Sequence, residues 1–473
     1  MGKFNQIMCT MILCFLCFNM GIMYTWPSST LMIFSSANTT LHRTMTEGEI
    51  ALLGSLSSVG ALISTPIAGI ALDKIGRRKC SIVANLMPVL GWAMIAFSNR
   101  VELVLSSIFV AGLAGAAFII NSVYISEICH ESLRGTMTAA MMVFYGVGML
   151  VQYIMGGFLS YSAAVYTNLT LTTLAVLLNC ILKESPLYLL SKGMEKEAAI
   201  ALSFFRQEKP DSKLVQEELN NIRRTLNPDL DDDESPEETK LQTEKQEKKV
   251  EEKLSTFQFI KKSRSTRKAI IVTLTLMTAS MFQGLPVVQV YAEPLFKEAV
   301  PVMSATVSSI IFAVVTVITG FVGAFLTDAA GRKPLMMYGS IGSAVCSLLL
   351  GTQIHLNWGP NWLTAVVIYL FCVVYTLGAG TVPYVLTAEV FLPEVKSFVA
   401  MLVVEWTWLC NFLILLIFNP LVSAIGLGPI FYLFAAVCVL TAVYTLFYLP
   451  ETKGLTVDAI QPLFVTKKKK QIV

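Results

Sequence analysis

The sequence predicts an all-α membrane protein with twelve transmembrane helices in two sets of six. Of its 473 residues, 55% are hydrophobic and only 14% are charged, whereas soluble domains contain about a quarter charged residues. The mean hydropathy is +0.65. Apolar stretches near the roughly 20 residues that a membrane-spanning helix needs occur as six, a polar gap and six more.

The spans are predicted from these apolar runs. The first six cover 7–34, 48–72, 80–98, 101–126, 136–160 and 163–183, and the second six cover 268–297, 304–328, 334–354, 361–391, 397–422 and 428–449. The predicted domains are therefore an N-terminal bundle at 1–183, a linker at 184–267, a C-terminal bundle at 268–449 and a tail at 450–473. Short amphipathic helices are expected in the linker, followed by a flexible stretch from Asp229 to Lys253 that is too charged to be buried.

A charged motif, Asp-x-x-Gly-Arg-[Arg/Lys], occurs once in each half, at 73–78 and at 328–333. Further charged residues follow it in the same order. These are an acid seven positions before a base (Glu127 and Arg134, then Glu389 and Lys396) and a glutamate just after the last span of each half (Glu184, then Glu451). A duplicated half is the simplest cause of this repeat, and internal repeats are common in transporters.

Lysine and arginine are concentrated in the loops at 73–79, 127–135, 184–267 and 329–333 and in the tail. The opposite loops hold only Arg43, Arg100 and Lys297. Because basic loops stay in the cytoplasm, both termini are predicted to be cytoplasmic, and we expect the plasma membrane as the location. The triplets that begin at Asn38 and Asn168 fall on the predicted outer side and are candidate glycosylation sites.

Several function classes find no support in the sequence. There is no phosphate-binding Gly-x-x-x-x-Gly-Lys-[Ser/Thr] loop, and His42, His130 and His355 match no metal or catalytic spacing. A net charge of +3 is too small to indicate nucleic-acid binding. We therefore predict no enzyme activity, no cofactor and no metal, with the lipid bilayer and a small solute as partners.

The motifs, taken together, resemble the sugar-porter family of the major facilitator superfamily. The match consists of Asp73 to Arg78, Tyr124 to Glu127, Arg134-Gly135, Glu184-Ser185-Pro186, Asp328 to Lys333, Pro383 with Glu389, and Pro450 to Gly454. The Trp-Pro-Ser end of the first span is most similar to insect facilitated trehalose and glucose transporters. The resemblance implies two six-helix bundles related by a pseudo-twofold axis, with the substrate held between them near the midplane.

The resemblance also implies a charged gate on the cytoplasmic face. When the transporter opens outward, Glu127 is expected to pair with Lys396, and Glu389 with Arg134, across the two halves. The alternative is that these charges only set topology and cap helix ends. The predicted gate residues are Asp73, Arg77, Arg78, Glu127, Arg134, Asp328, Arg332, Lys333, Glu389, Lys396 and Glu451.

The substrate site departs from the family pattern. Ser280 and Met281 stand where the family has two glutamines, Pro286 replaces an asparagine and Tyr384 a tryptophan. Each sugar hydroxyl left unpaired costs about 1–3 kcal/mol, so ordinary hexose affinity is in doubt. Trp26 is either a cavity residue or an anchor at the outer interface. The candidate substrate-binding residues are Trp26, Gln152, Ser280, Gln283, Gly284, Gln289, Thr316, Tyr384, Glu405, Trp408 and Asn411.

Glu405 is predicted to lie well inside the eleventh span, where an acid is costly and is a functional candidate. It either serves the substrate, a cation or a proton, or is a structural acid. The first span contains no acid, which favours facilitated diffusion of a sugar such as trehalose or glucose unless Glu405 couples protons. The alternatives are a transporter-like sugar sensor with little flux and a carrier of another small polar solute.

Overall fold

A computed structural model describes residues 3–226, 256–455 and 457–464, and the regular elements within these ranges are all helices. Eleven of the described helices, two of them interrupted, are long and apolar enough to cross a membrane. The remaining predicted span, the seventh, is divided into shorter helices. The described part of the chain thus accounts for all twelve predicted spans.

The first six spans follow one another with short turns. A capping box formed by Thr46 and Glu49 starts the second span, and Gly76 separates it from the third. In the fourth span, a short 3₁₀ turn at Leu113–Ala116 joins two α-helical pieces. The spans are Phe4–Ser35, Glu47–Ile75, Arg77–Phe97, Val101–Ile128, Glu131–Phe158 and Tyr161–Ile181.

The seventh span comprises Arg264–Phe282, Leu285–Val290 and Ala292–Ala299. It breaks at Gly284, where φ is +104° and an added Cβ would lie 2.5 Å from the ring of Phe434, so only glycine fits. The tenth span is interrupted after Leu377 by a Gly-Ala-Gly turn. The other spans of this half are Ala305–Ala330, Arg332–Leu356, Asn361–Leu377 with Val382–Glu389, Pro393–Ile425 and Leu427–Tyr448.

Short helices lie outside the spans at Pro186–Ser191, Glu195–Arg206, Lys213–Leu226, Thr256–Lys262 and Val457–Ile460, with a 3₁₀ turn at Gln461–Phe464. Arg206 holds the linker helices to the first bundle, because it pairs with Glu218 at 2.5 Å and donates to the carbonyl of Ile128 at 2.8 Å. The predicted charged stretch from Asp229 to Lys253 and the lysines at 467–470 lie outside the described residues.

Close helix packing within the first bundle depends on glycine. A Cβ at Gly148 would lie 2.0 Å from the carbonyl oxygen of Phe18, and one at Gly112 would lie 2.3 Å from that of Ser57. The first span therefore packs tightly on the fifth, and the second on the fourth.

The two bundles meet along three lines. The second span packs against the eleventh, and the fifth against the eighth. The first span packs against the short helices Leu285–Val290 and Ala292–Ala299 of the seventh. We call the membrane face at which the first span begins the terminal face, and the opposite face the far face. Alternation of the spans places the turns at Gly76 and Gly331 on the terminal face.

Candidate functional site

Two charged clusters lie on the terminal face, one in each half. In the first, Nε and Nη2 of Arg77 donate to one carboxylate oxygen of Glu127 at 3.0 and 2.8 Å, and Nη1 donates to the carbonyl of Leu72. Glu184 accepts the backbone N–H groups of Arg77 and Arg78 at 2.9 and 3.0 Å. A carboxylate thus caps the start of the third span, where exposed N–H groups favour negative charge.

The second cluster repeats this geometry. Nε and Nη2 of Arg332 donate to the two carboxylate oxygens of Glu389 at 3.1 and 2.5 Å, and Nη1 donates to the carbonyl of Thr327. Glu451 accepts the N–H groups of Arg332 and Lys333, each at 3.0 Å. We call these sets the first node (Arg77, Glu127, Glu184) and the second node (Arg332, Glu389, Glu451).

Glu451 lies beyond the twelfth span and is half-buried. Partial burial by itself raises the pKa of its carboxyl, but backbone N–H groups outweigh this and hold the pKa below its ordinary value. The donors are those of Arg332, Lys333, Thr452 and Lys453.

The remaining residues predicted for the gate follow the same symmetry on this face. Arg78 donates to the carbonyl of Cys180, and Lys333 donates to that of Leu446 at 2.7 Å, so each ties the start of one helix to the end of another. Asp73 lies 3.4 Å from Arg77 and is mostly exposed. The side chain of Asp328 lies outside the described residues.

The predicted pairs across the halves are absent from this conformer. Glu127 and Glu389 bind arginines of their own half. Arg134 and Lys396 are exposed and form no ion pair with an acid among the described side chains. Those pairs were expected for the opposite conformer, so they stay a prediction.

The hydrogen bonds that join the two bundles instead lie at the midpoint of the membrane-spanning helices or between that midpoint and the far face. Among the described residues there are four: Tyr24 to Asn411 at 3.1 Å, Asn411 to Ser58 at 2.9 Å, Tyr153 to the carbonyl of Gln289 at 2.5 Å, and the N–H of Glu293 to Ser28 at 2.9 Å.

Asn411 is the centre of the contact between the bundles. Its amide accepts from Tyr24 of the first span and donates to Ser58 of the second. The ring of Tyr145 lies 6.1 Å from that of Tyr24. Trp408, one turn from Asn411 toward the terminal face, reaches the fourth span, with its ring 3.6 Å from the Cβ position of Gly115. The structure thus places both Trp408 and Asn411 against the first bundle, with Asn411 beside the aromatic Tyr24.

The other first-bundle candidates, Trp26 and Gln152, are directed into the core of that bundle. Trp26 is 1% exposed and packs against Trp92 at 5.4 Å. Gln152 is fully buried, donates to Ser29 at 3.3 Å and accepts from Asn168 at 3.1 Å. Trp26 is therefore neither a cavity residue nor an interfacial anchor, and the bonds of Gln152 are made within the first bundle.

Several second-bundle candidates are also directed inward. Ser280 donates to the carbonyl of Ala379 at 2.7 Å, Gln283 donates to Ser340 at 3.4 Å, and Thr316 contacts Cys372 at 3.1 Å. Ser280, Gln283 and Gly284 do share one helix face, as their spacing predicts, but this face packs on the ninth, tenth and twelfth spans. Oε1 of Gln283 has no hydrogen-bond partner among the described residues. That these residues bind substrate stays a prediction.

Three further candidates keep accessible surface, as do Thr316 and Trp408, which are half-buried. Tyr384 is 42% exposed. Gln289 is half-buried, and its backbone carbonyl accepts from Tyr153. Glu405 is half-buried, one turn from Trp408, and its buried Oε1 has no hydrogen-bond partner among the described residues.

The two predicted glycosylation sites have different environments. Asn38 is exposed in the loop after the first span. Asn168 is fully buried within the sixth span and bonded to Gln152, so no glycosyltransferase can reach it. The prediction for Asn168 is wrong, because the sixth span begins at Tyr161 and encloses the triplet.

Sequence reasoning missed Tyr24, Ser28 and Tyr153. The signal for the first two was their spacing. Tyr24 and Ser28 lie one helical turn apart on one face, whereas Trp26 between them faces the opposite side. The larger aromatic residue was therefore chosen on the wrong face of the same helix.

Comparison with known proteins agrees with this architecture. The profile of the family described as sugar (and other) transporter matches residues 7–464. The facilitated trehalose transporter Tret1 of Polypedilum vanderplanki is 25% identical over 468 residues, covering 96% of this chain and 87% of that protein. Tret1 of Drosophila yakuba is 26% identical over 453 residues, covering 93% of this chain. The chain spans about half the length of the Drosophila relatives, 50% in that case.

Among solved structures, two of the xylose transporter XylE from E. coli superpose along nearly the whole chain. The partially occluded inward-open form gives a TM-score of 0.75 at 19% identity, covering 96% of this chain and all of that one. The inward-open form gives 0.76 at 18% identity, covering 96% and 99%. At this identity the likeness concerns the fold, which is the twelve-helix fold of the major facilitator superfamily. The chain belongs to the sugar (and other) transporter family, a family of membrane transporters rather than enzymes.

Proposed function

We propose that this protein is a facilitative transporter that moves a sugar by alternating access, without coupling to an ion. In this proposal it lies in the plasma membrane with both termini in the cytoplasm, so the terminal face is cytoplasmic. The bundles comprise 1–183 and 268–449, joined by the linker at 184–267. The gate is formed by the two nodes together with Arg134 and Lys396.

The observation that carries the proposal is the uneven distribution of contacts between the bundles. The four hydrogen bonds between the described spans lie toward the far face, while both nodes on the terminal face are bonded within their own half. Such an arrangement suits a conformer open to the terminal face. Transport requires a second conformer in which the far-face bonds open and the terminal face closes.

The candidate pathway is lined by aromatic side chains and by few free amides. Trp408, Tyr384 and Tyr24 offer aromatic faces, and Asn411 offers an amide at the junction. Aromatic rings can stack on the CH faces of a sugar ring, and the amide can bond its hydroxyls once the Tyr24 bond opens. The trehalose transporters among its relatives make trehalose the first solute to test, and glucose, of which trehalose is composed, is the second.

Flux measurements in proteoliposomes test the proposal. Purified protein should catalyse saturable counterflow of labelled glucose or trehalose, with no need for a pH gradient. Replacing Asn411 with leucine should reduce flux by about tenfold or more, because one substrate bond and two interbundle bonds are lost. Asn38→Gln in the exposed loop is the matched control and should leave flux unchanged. Failure of every hexose, disaccharide and polyol in a panel to compete would exclude a sugar substrate.

A transporter-like sensor is the second candidate. It is favoured by the burial of Gln152 and Gln283, since the amide nitrogens of both side chains donate within their own bundle. A sensor would bind sugar, seen as a rise in melting temperature, yet show flux no greater than that of empty vesicles. Saturable flux above that level decides for the transporter.

A further inference from the structure

The interior of the first bundle contains polar groups that have no hydrogen-bond partner among the described residues. Among them are both amide atoms of Asn19, Oδ1 of Asn85, Nε1 of Trp92 and Oδ1 of Asn168. All four side chains are at most 1% exposed. We call these four residues the polar seam.

The seam residues lie on helices that pack against one another. Asn85 and Trp92 are seven residues apart and share one face of the third span, as Asn19 and Trp26 do on the first span. The rings of Trp26 and Trp92 are 5.4 Å apart, so these two faces are directed toward each other. The sixth span, which carries Asn168, packs against both helices.

Bonded polar pairs continue the seam toward both membrane faces. Ser81 donates to Asn179 at 2.7 Å on the terminal side, and Gln152 joins Asn168 to Ser29 on the far side. Asn168 and Asn179 lie on one face of the sixth span, and their separation of eleven residues corresponds to about 16 Å along the helix. Polar groups therefore extend through much of the thickness of the bundle.

Leaving these groups unpaired would be costly. A buried donor or acceptor without a partner destabilises the folded state by about 1–3 kcal/mol. Hydroxyl groups can turn back to a carbonyl of their own helix, but an indole N–H and an amide oxygen have no such alternative. Buried water in proteins makes about three hydrogen bonds to groups of this kind.

We propose that the polar seam binds a short chain of ordered water molecules inside the first bundle. Asn19 and Trp92 supply donors, and Asn19, Asn85 and Asn168 supply acceptors. Water, which donates and accepts equally, matches this uncharged mixture, whereas a cation or an anion does not. The proposal holds whichever solute the protein moves.

The hydrated seam lies behind the helix that carries the contacts between the bundles. Tyr24 and Ser28 of the first span bond the second bundle, and Asn19 lies on another side of the same helix. Waters can re-form their hydrogen bonds after small displacements. The seam therefore supports the first span while letting it shift as the far-face bonds open.

The first experiment asks whether a substitution in the seam raises or lowers the melting temperature. Asn19→Leu is close to isosteric. In a dry seam it would remove unpaired polar groups and raise the melting temperature of the detergent-solubilised protein. In a hydrated seam it removes two water-binding groups and is expected to lower that temperature by about 2 °C or more. Thr441→Val is the control and should change the melting temperature little, because this buried hydroxyl of the second bundle donates to the carbonyl of Val437 in its own helix. An unchanged or raised melting temperature for Asn19→Leu overturns the proposal.

The second experiment uses the unaltered protein and so does not depend on how a variant folds. X-ray radiolysis generates hydroxyl radicals from water and modifies side chains beside it, buried ones included. Met23, one turn from Asn19 and 3% exposed, is expected to be modified several-fold faster than Met277, which is fully buried in the apolar core of the second bundle. Equal rates for the two methionines would contradict the hydrated seam.

Discussion

At the scale of the residue, the glycine before each node sets the backbone. Gly76 has φ +96° and ψ 166°, a region essentially restricted to glycine, and an added Cβ would lie 2.5 Å from a carboxylate oxygen of Glu184. We predict that Gly76→Ala destabilises the protein by about 1–3 kcal/mol. The measurement is the thermal unfolding of the purified protein.

The control for that substitution is Gly135→Ala. Gly135 is helical and has no atom within 4 Å of its Cβ position, so alanine there should be neutral or slightly stabilising. Equal melting temperatures for Gly76→Ala and Gly135→Ala would show that the turn tolerates a side chain.

Residues of the charged nodes were predictable because their types and spacing occur in both halves of the chain. Residues of the substrate site were poorly predictable because their role depends on the direction in which each side chain points. Arg77 and Glu127 were chosen for the gate because their types and spacing recur in the second half, and the structure brings them together in one node. Glu184 was recognised only as part of the repeat, and it joins the same node. Ser280 and Gln283 were chosen for the substrate site because they are polar. A single helical sequence shows which residues share a face, but it does not show which neighbour that face meets.

At the scale of the helix, a carboxylate cap makes the stability of the second node depend on pH. The pKa of Glu451 is depressed in the folded protein, so its stabilisation is complete above the unfolded pKa of about 4.3 and is lost as pH falls through the lower folded value. We predict that Glu451→Gln lowers the melting temperature at neutral pH and flattens its decline between about pH 5 and 3.

The matching control is Glu208→Gln, because Glu208 is exposed in the linker. Its melting temperature should follow that of the unaltered protein at every pH. Should Glu451→Gln decline as steeply with acid as the unaltered protein, the cap would contribute no pH-dependent stability.

The sequence predicted where each span begins and ends more accurately than whether the span is one continuous helix. The apolar runs locate the spans within a few residues, since burial in lipid needs a helix of about 20 residues. The division of the seventh span was not predicted, because Gly284 and Pro286 were read for chemistry rather than for backbone conformation. At Gly284 the ring of Phe434 from the twelfth span leaves no room for a Cβ, a contact that only the folded chain reveals.

At the scale of the whole molecule, the far-face bonds should bias the equilibrium between the two conformers. Tyr24→Phe removes one bond between the bundles, worth about 0.5–1.5 kcal/mol, and we predict a shift away from the terminal-open conformer. Spin labels at Ser132 and Ser397, exposed near the terminal ends of the fifth and eleventh spans, report it by double electron–electron resonance. Replacing Cys180 with serine removes the one cysteine of the ten that is not buried.

Tyr369→Phe is the control for this shift. Tyr369 donates to the carbonyl of Ser308 within the second bundle at 3.2 Å, so its loss should leave the distance distribution unchanged. If Tyr24→Phe and Tyr369→Phe gave the same distribution, the far-face bond would not contribute to the choice of conformer.

The predicted charge pairs at the terminal face should favour the conformer that is closed at that face, whereas the far-face bonds favour the conformer that is open there. Arg134 and Lys396 are exposed here and unpaired with any described acid, as expected if their partners are met only when the terminal face closes. Arg134→Ala should therefore destabilise the closed arrangement and enrich the terminal-open conformer. An exposed pair contributes about 0–1 kcal/mol, so the population ratio should change by up to about fivefold.

The distances between the same spin labels should become longer in Arg134→Ala, whereas Lys209→Ala in the exposed linker should leave them unchanged. Since Tyr24→Phe is predicted to shorten the distances that Arg134→Ala lengthens, two shifts of the same sign would contradict alternating access by rocking of the bundles.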